Sequence, residues 1–202
     1  MTGSSRLAIV ALAASLIGFA SPASAQPAPA APENPWRHGT TLGLSAGSAT
    51  DSSDTRATLG AGVGWEFNQR IELEGSGAWL AARDGDSAFA AELKMVANLT
   101  RPAPVVPFLS AGIGMYRASF ETTNGAMPTF YQRPADSSAG TLRTFTDPSF
   151  VFAGGIDIFA SGHFSVRPEV SVRLVTHASS VYPVTMVRLH ATYHFELHEG
   201  WK

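Results

Sequence analysis

From about Thr40 to Phe195, polar and apolar residues alternate with period two, broken by turn signals and never by a helical stripe longer than a turn or two. The alternation predicts eight strands, at about 39–49, 55–67, 70–82, 88–100, 106–121, 149–160, 163–176 and 182–196. Most reach the roughly 9 to 11 residues that a tilted membrane strand needs, and exceed the usual 5 or 6 of a soluble strand. The connections alternate as well. The second, fourth and sixth are tight: Asn68-Gln69, RPAPV from Arg101 to Val105, and Ser161-Gly162. The first, third, fifth and seventh are mostly longer or more polar: TDSSD, RDGDS, the stretch from Thr122 to Asp147, and HASSV. Short turns on one side and longer loops on the other are the layout of outer-membrane barrels, with the loops external.

Parity then asks which face meets solvent. In the last strand Arg188, His190, Thr192 and His194 share one face, and Val187, Leu189, Ala191, Tyr193 and Phe195 share the other. Strand two sets Arg56 and Glu66 against Leu59, Val63 and Trp65. Strand three sets Arg70, Glu72 and Glu74 against Ile71, Leu73 and Trp79. Strand four opposes Glu92, Lys94 and Asn98 to Phe89, Leu93 and Met95. Strand seven opposes Arg167, Glu169 and Arg173 to Phe164, Val166, Val170 and Leu174. The charged face also carries Gly43, Gly47, Gly60, Gly62, Gly64, Gly112 and Gly114. A sandwich core cannot be packed from glycine, whereas a narrow tube filled by long charged side chains needs the room that glycine leaves. The expectation is therefore an all-β, eight-stranded antiparallel up-and-down transmembrane β-barrel, apolar outside and charged within. Pro168, inside strand seven, predicts a bulge or kink there.

Aromatic placement adds two belts. Trp65, Phe67, Phe108, Phe159, Phe164, Tyr193 and Phe195 fall at the tight-turn ends, and Trp79, Phe89, Tyr116, Phe120, Phe150, Phe152 and Tyr182 at the loop ends. Girdles of this kind sit at headgroup level. By parity, Tyr116 and Phe159 can instead point inward.

The first 25 residues carry one positive charge, Arg6, then an apolar run from Leu7 to Ala20, then Ala23-Ser24-Ala25. This reads as a signal peptide cleaved before Gln26, since about 14 apolar residues are too few for a membrane-spanning helix. Residues 26–38 form a Pro/Ala-rich tether, and 39–202 form the barrel domain. With 14 basic and 16 acidic residues the formal charge is −2, and losing Arg6 with the leader makes it −3, so no basic field for nucleic acid exists. Charged residues are 15% of the chain, low against roughly 25% in soluble domains. There is no cysteine, which excludes disulfides and thiol chemistry.

The segments PFLSAGIGMY (Pro107 to Tyr116), FAGGIDIF (Phe152 to Phe159), FSVRPEVSVRL (Phe164 to Leu174) and the closing VRLHATYHF resemble the strand patterns of small outer-membrane β-barrel proteins, the OmpA/OmpX/OmpW-like group. The resemblance covers roughly Thr40 to Phe195. It implies a porin-like monomer in a Gram-negative outer membrane, in contact with its lipids and lipopolysaccharide. It also implies that Phe195, with Tyr193 two residues before it, is read by the barrel-assembly machinery; the tail ELHEGWK follows. No cofactor is implied.

The candidate chemistry lies in the lumen. Glu66, Glu72, Glu74, Glu92 and Lys94 on strands two to four face Arg167, Glu169, Arg173, Arg188 and His190 on strands seven and eight. Across an eight-strand interior just wide enough for side chains, these predict a network of ion pairs that plugs the tube. A narrow pore for small solutes or apolar molecules is the alternative. The connection from Thr122 to Asp147 is long for a structureless loop, and its Phe130, Tyr131, Arg133 and Arg143 are contact-type residues that point to a surface partner. His177-Ala178-Ser179 is similar to the His-x-Ser pair of the lipid A deacylase family. That family continues with Asn, where Ser180 stands here, and its orienting Glu meets Ala191, so a lipid hydrolase is the weaker alternative. A soluble lipocalin-type barrel is a further one. Among the six histidines, His190 and His194 share a face, but four strand residues span about 13 Å, too far for joint metal coordination. The pattern thus predicts a structural or surface-contact role without catalysis or metal.

Overall fold

The alternation closes into a ring in the computed structural model, which describes residues 39–51, 55–68, 70–83, 86–100, 103–121, 142–177 and 180–195. Its strands are β1 (Gly39–Thr50), β2 (Thr55–Asn68), β3 (Ile71–Arg83), β4 (Asp86–Asn98), β5 (Val105–Glu121), β6 (Leu142–Ser161), β7 (Phe164–His177) and β8 (Ser180–His194). Each pairs antiparallel with its sequence neighbours, and β8 returns to pair with β1 from Thr41↔His194 to Thr50↔Thr185. The sheet is a closed eight-stranded barrel without an edge, the arrangement that satisfies every strand's backbone where no water is available. Residues 1–38, which hold the expected leader and tether, lie outside the described residues.

Side-chain orientation follows parity. Leu189 is 54% exposed and Val170 44%, while Arg188, Glu169 and Glu72 are 3%, 2% and 3% exposed. The apolar face is on the outside and the charged face is inside. Exposed Leu42, Leu59, Val63, Leu93, Ile113 and Val187 continue the outer face around the ring.

Three features differ from the sequence expectation. β6 begins at Leu142 rather than 149, and Thr144 to Pro148 pair with Ser119 to Met115. Asp147 and Pro148 look like turn residues, yet Asp147 and Ser149 keep inward parity. Pro148 sits where β6 is paired only with β5, its pairing with β7 starting at Ser149↔Val175, and a one-sided strand tolerates an absent N–H. Pro168 causes no register-shifting bulge. Pairing of β6 with β7 lapses between Gly155↔Glu169 and Ile158↔Val166 and resumes in the same register, while β7 pairs with β8 straight through Pro168↔Leu189. The shift in that ladder lies instead at Phe159/Ser161. Lastly, the belts are thinner than expected. Phe108 and Tyr116 are buried inside, Phe159 lies against the ring of inward-facing His194, and Tyr182 packs on the interior cluster. Phe108 shares parity with Ser110, Gly112 and Gly114, so its inward direction was legible.

Curvature this tight rests on inward glycines. A Cβ built on Gly112 would lie 2.1 Å from the Leu93 carbonyl oxygen, and one on Gly47 would lie 2.0 Å from that of Val187. Gly75, facing outward, has open space, with only Leu93 Cδ1 at 3.8 Å. Gly112→Ala should therefore destabilise the barrel by about 1–3 kcal/mol. Gly75→Ala should leave the urea midpoint of the heat-sensitive folded gel band unchanged.

Candidate functional site

The inner wall is built by a cross-strand rule. Gly47 pairs with Arg188, Gly64 with Glu74, Gly112 with Lys94, Gly114 with Glu92 and Gly155 with Glu169. In each pair a residue without a side chain lies beside a long charged one, which can then lean across the lumen. At Gly64 a Cβ would fall 2.0 Å from Glu72 Oε1, so the carboxylate already occupies that space.

Two connected nodes result. Around Arg167, Nη1 donates to Glu74 Oε2 at 3.0 Å and Nη2 to Glu72 Oε2 at 3.2 Å, while Nε and Nη2 hold Asp157 Oδ2 at 3.1 and 2.7 Å. Its guanidinium lies 5.0 Å from the centre of the Phe108 ring, within the range of a cation–π contact. The second node centres on Lys94, fully buried, whose Nζ lies 3.2 Å from Glu74, 3.4 Å from Glu92 and 3.0 Å from Glu169. Arg188 Nη2 bridges Glu92 at 2.9 Å and Glu169 at 2.5 Å, and Arg173 pairs with Glu92 and donates to Ser149 Oγ at 2.8 Å. Glu74 belongs to both nodes.

All ten residues read from the sequence as lumen charges are buried and face inward. Eight of them make these ion pairs with each other. The remaining two sit at the margin: His190 Nε2 is 3.8 Å from Glu169, and Glu66 Oε1 is 3.5 Å from His194 Nδ1. Lys94 stands among the carboxylates of its own wall, Glu74 and Glu92, and Glu169 beside Arg188 of its own, and the two meet across the lumen, so the walls interlock rather than oppose as one acidic and one basic side. The sequence reading missed Asp157, although its parity with Val151 and Ala153, opposite Ile156 and Ile158, marks it as inward.

It also expected a polar lumen throughout. Toward the loop end the interior instead holds an apolar cluster of Ala49, Leu80, Ala88, Ala90, Tyr116, Ala118, Val175, Val184 and Met186, with Phe145 and Tyr182 packed against it and buried Arg56 and Thr58 at the same level. Above it His177 Nδ1 meets Asp147 Oδ1 at 2.9 Å, with the Phe145 ring edge-on at 5.4 Å. His177 thus has an acidic partner, supplied by β6 and invisible in the linear motif. Ser179, the other half of the His-x-Ser pair, lies outside the described residues. So do the loop candidates Phe130, Tyr131 and Arg133, while Arg143 stands in β6 opposite Phe120. Among the described residues no group of three His, Asp or Glu side chains is arranged to hold a metal ion.

A closed ring of eight antiparallel strands, apolar outside and ionic within, defines a small membrane-type barrel. The chain belongs to the outer membrane protein beta-barrel domain family, which matches residues 11–195, and is accordingly an outer-membrane barrel. Its fold is similar to the N-terminal β-barrel domain of Pseudomonas aeruginosa OprF, at a TM-score of 0.57 and 11% identity, covering 79% of this chain and 100% of that one. It is equally similar to neisserial surface protein A, NspA, at a TM-score of 0.57 and 11% identity, covering 78% and 97%. No curated protein matches the chain in sequence.

Removing one partner from a buried ion network leaves charges that neither water nor lipid can solvate. Lys94→Met, which takes a shared cation away from Glu74, Glu92 and Glu169, should destabilise the barrel by about 3–5 kcal/mol. The double variant Lys94→Met/Glu169→Gln should recover part of that loss, as measured by urea titration of both proteins in the same micelles.

Proposed function

We propose that this protein is a non-catalytic structural barrel of the outer membrane, its lumen plugged, which serves envelope integrity or surface contact through its external loops. The observation that supports the reading is the layering of the interior, with the Arg167 and Lys94 nodes nearer the turns and the apolar cluster nearer the loops. Opening a path needs several ion pairs to break together and an apolar section to be wetted, each unfavourable without compensation. In this reading the outer apolar face meets lipid, the tight turns face the periplasm, and residues 1–25 are a leader removed before Gln26. The aromatic Phe195 is what the assembly machinery reads, and the chain acts as a monomer. In planar bilayers the purified protein should give no discrete conductance steps and should show a gel mobility that changes on boiling. Steady conductance abolished by charge reversal at Glu72 or Arg188 would establish the pore instead.

One observation favours a second reading. The His177–Asp147 pair, with a serine two residues past the histidine, has two of the three parts of a hydrolytic triad. His177 shares inward parity with Val175 and Arg173 and is only partly exposed, so a lipid alongside the barrel does not reach it. Lipid A from cells overproducing the protein should accordingly keep all its acyl chains, and loss of one chain that depends on His177 would reverse this assignment.

A further inference from the structure

With the imidazoles of His190 and His194 neutral, the buried interior carries more negative than positive charge. Among the described residues it holds seven carboxylates, Glu66, Glu72, Glu74, Glu92, Asp147, Asp157 and Glu169, against five fixed cations, Arg56, Lys94, Arg167, Arg173 and Arg188. Carboxylates crowd the Arg167 node most: one guanidinium there serves Glu72, Glu74 and Asp157, and only Glu74 has a share in Lys94. An uncompensated buried charge is among the costliest features a protein can carry. Beside this node, against the glycine-lined wall of β1 and β2, is a cavity of about 20 Å³, room for one water-sized occupant. Oxygen-bearing side chains border it: Thr41, Ser45, Glu72, Glu74, Ser76 and Thr192. His190 also lines it, 6% exposed, and its Nε2 has no hydrogen-bond partner. Arg167 borders the cavity too, but its donors are committed to Glu72, Glu74 and Asp157.

We propose that this cavity binds one small monovalent cation, of the size and hardness of sodium, held by the carboxylates of Glu72 and Glu74 and neighbouring hydroxyl oxygens. Hard cations select oxygen donors. A divalent ion would offset the whole surplus but needs a richer set of acidic or imidazole ligands than the described residues bring together. A single positive charge removes half the surplus where it is largest, and the other half lies at Glu66, beside the His194 imidazole. The inference is independent of whether the lumen conducts, because it concerns an ion held in the plug and not one passing through it.

The test uses the full folded chain in zwitterionic detergent micelles, unfolded by urea at constant ionic strength in mixtures of sodium and choline chloride. A specific site makes stability rise with free sodium, about tenfold in the folding constant for each tenfold rise above the dissociation constant. Choline, too large for the cavity, should give no rise. Glu74→Gln should abolish the sodium dependence. Should that variant fail to fold, Gly43→Ala serves. Its added Cβ has ordinary contacts, the nearest being Thr192 Oγ1 at 3.5 Å, yet it intrudes on the cavity wall. It should shift the sodium response to at least about tenfold higher concentration. Broadening of the sodium-23 resonance by the unaltered protein, reversed by excess potassium or lost in Gly43→Ala, provides a second readout. Equal stability in sodium and choline overturns the proposal. So does a sodium response that Gly43→Ala and Glu74→Gln both retain. A stability that follows pH alone also overturns it, assigning the missing charge to protons on His190 and its neighbours.

Discussion

Charge kept away from both water and hydrocarbon must be matched within arm's reach, and the barrel's inner wall is arranged to meet that requirement. Five of the lumen charges stand directly across the ladder from a glycine: Arg188 from Gly47, Glu74 from Gly64, Lys94 from Gly112, Glu92 from Gly114 and Glu169 from Gly155. An eight-strand interior is only just wide enough for side chains. If two long side chains faced inward at each of those positions the tube would overfill. If none did, it would leave a polar void for water to enter. Alternating glycine with charge fills the volume and lets each ion reach partners on the opposite wall. Four of the same glycines, Gly47, Gly112, Gly114 and Gly155, allow the close carbonyl approaches that bend the sheet into so small a ring. Volume, curvature and ion pairing are thus one constraint, satisfied by one choice of residues.

That constraint also explains the layering along the axis. Ion pairs hold the section from Glu66 and His194 up to Arg173, while the section near the loops is mainly alanine, valine, leucine, methionine and tyrosine, with Arg56 buried beside them. Away from water, a low local dielectric strengthens every pair that is properly matched. It equally raises the cost of any mismatch, which is why the residual surplus of carboxylate beside the β1–β2 wall matters.

Most of the architecture was legible because period-two alternation admits only two inside-out choices, and the glycines on the charged face decide between them. Strand number, order, closure and the facing of all ten lumen charges follow from that single decision. What escaped had local causes. The early start of β6 was hidden by Asp147 and Pro148, which favour turns in isolation and are tolerated here on a strand paired on one side. Asp157 and the inward aromatic Phe108 followed parity but lay among residues whose composition suggested membrane-facing strand. The partnership of His177 with Asp147 joins residues 30 positions apart and could not be read from either segment. Nor could the distribution of pairs, because Lys94 and Glu169 sit on walls where composition alone would have put the opposite charge.

A wall so heavily constrained leaves little freedom for evolving a task inside it. Most inward positions serve volume, curvature or charge, so a change that opened a path along the axis would have to replace several residues together. The outward face is bound to the membrane by the same logic, since apolar side chains there are what allow the strands to cross. Rigid scaffolds commonly carry function on the segments that connect their elements. An interior so heavily constrained is suited to act as a fixed support for the segments its strands connect.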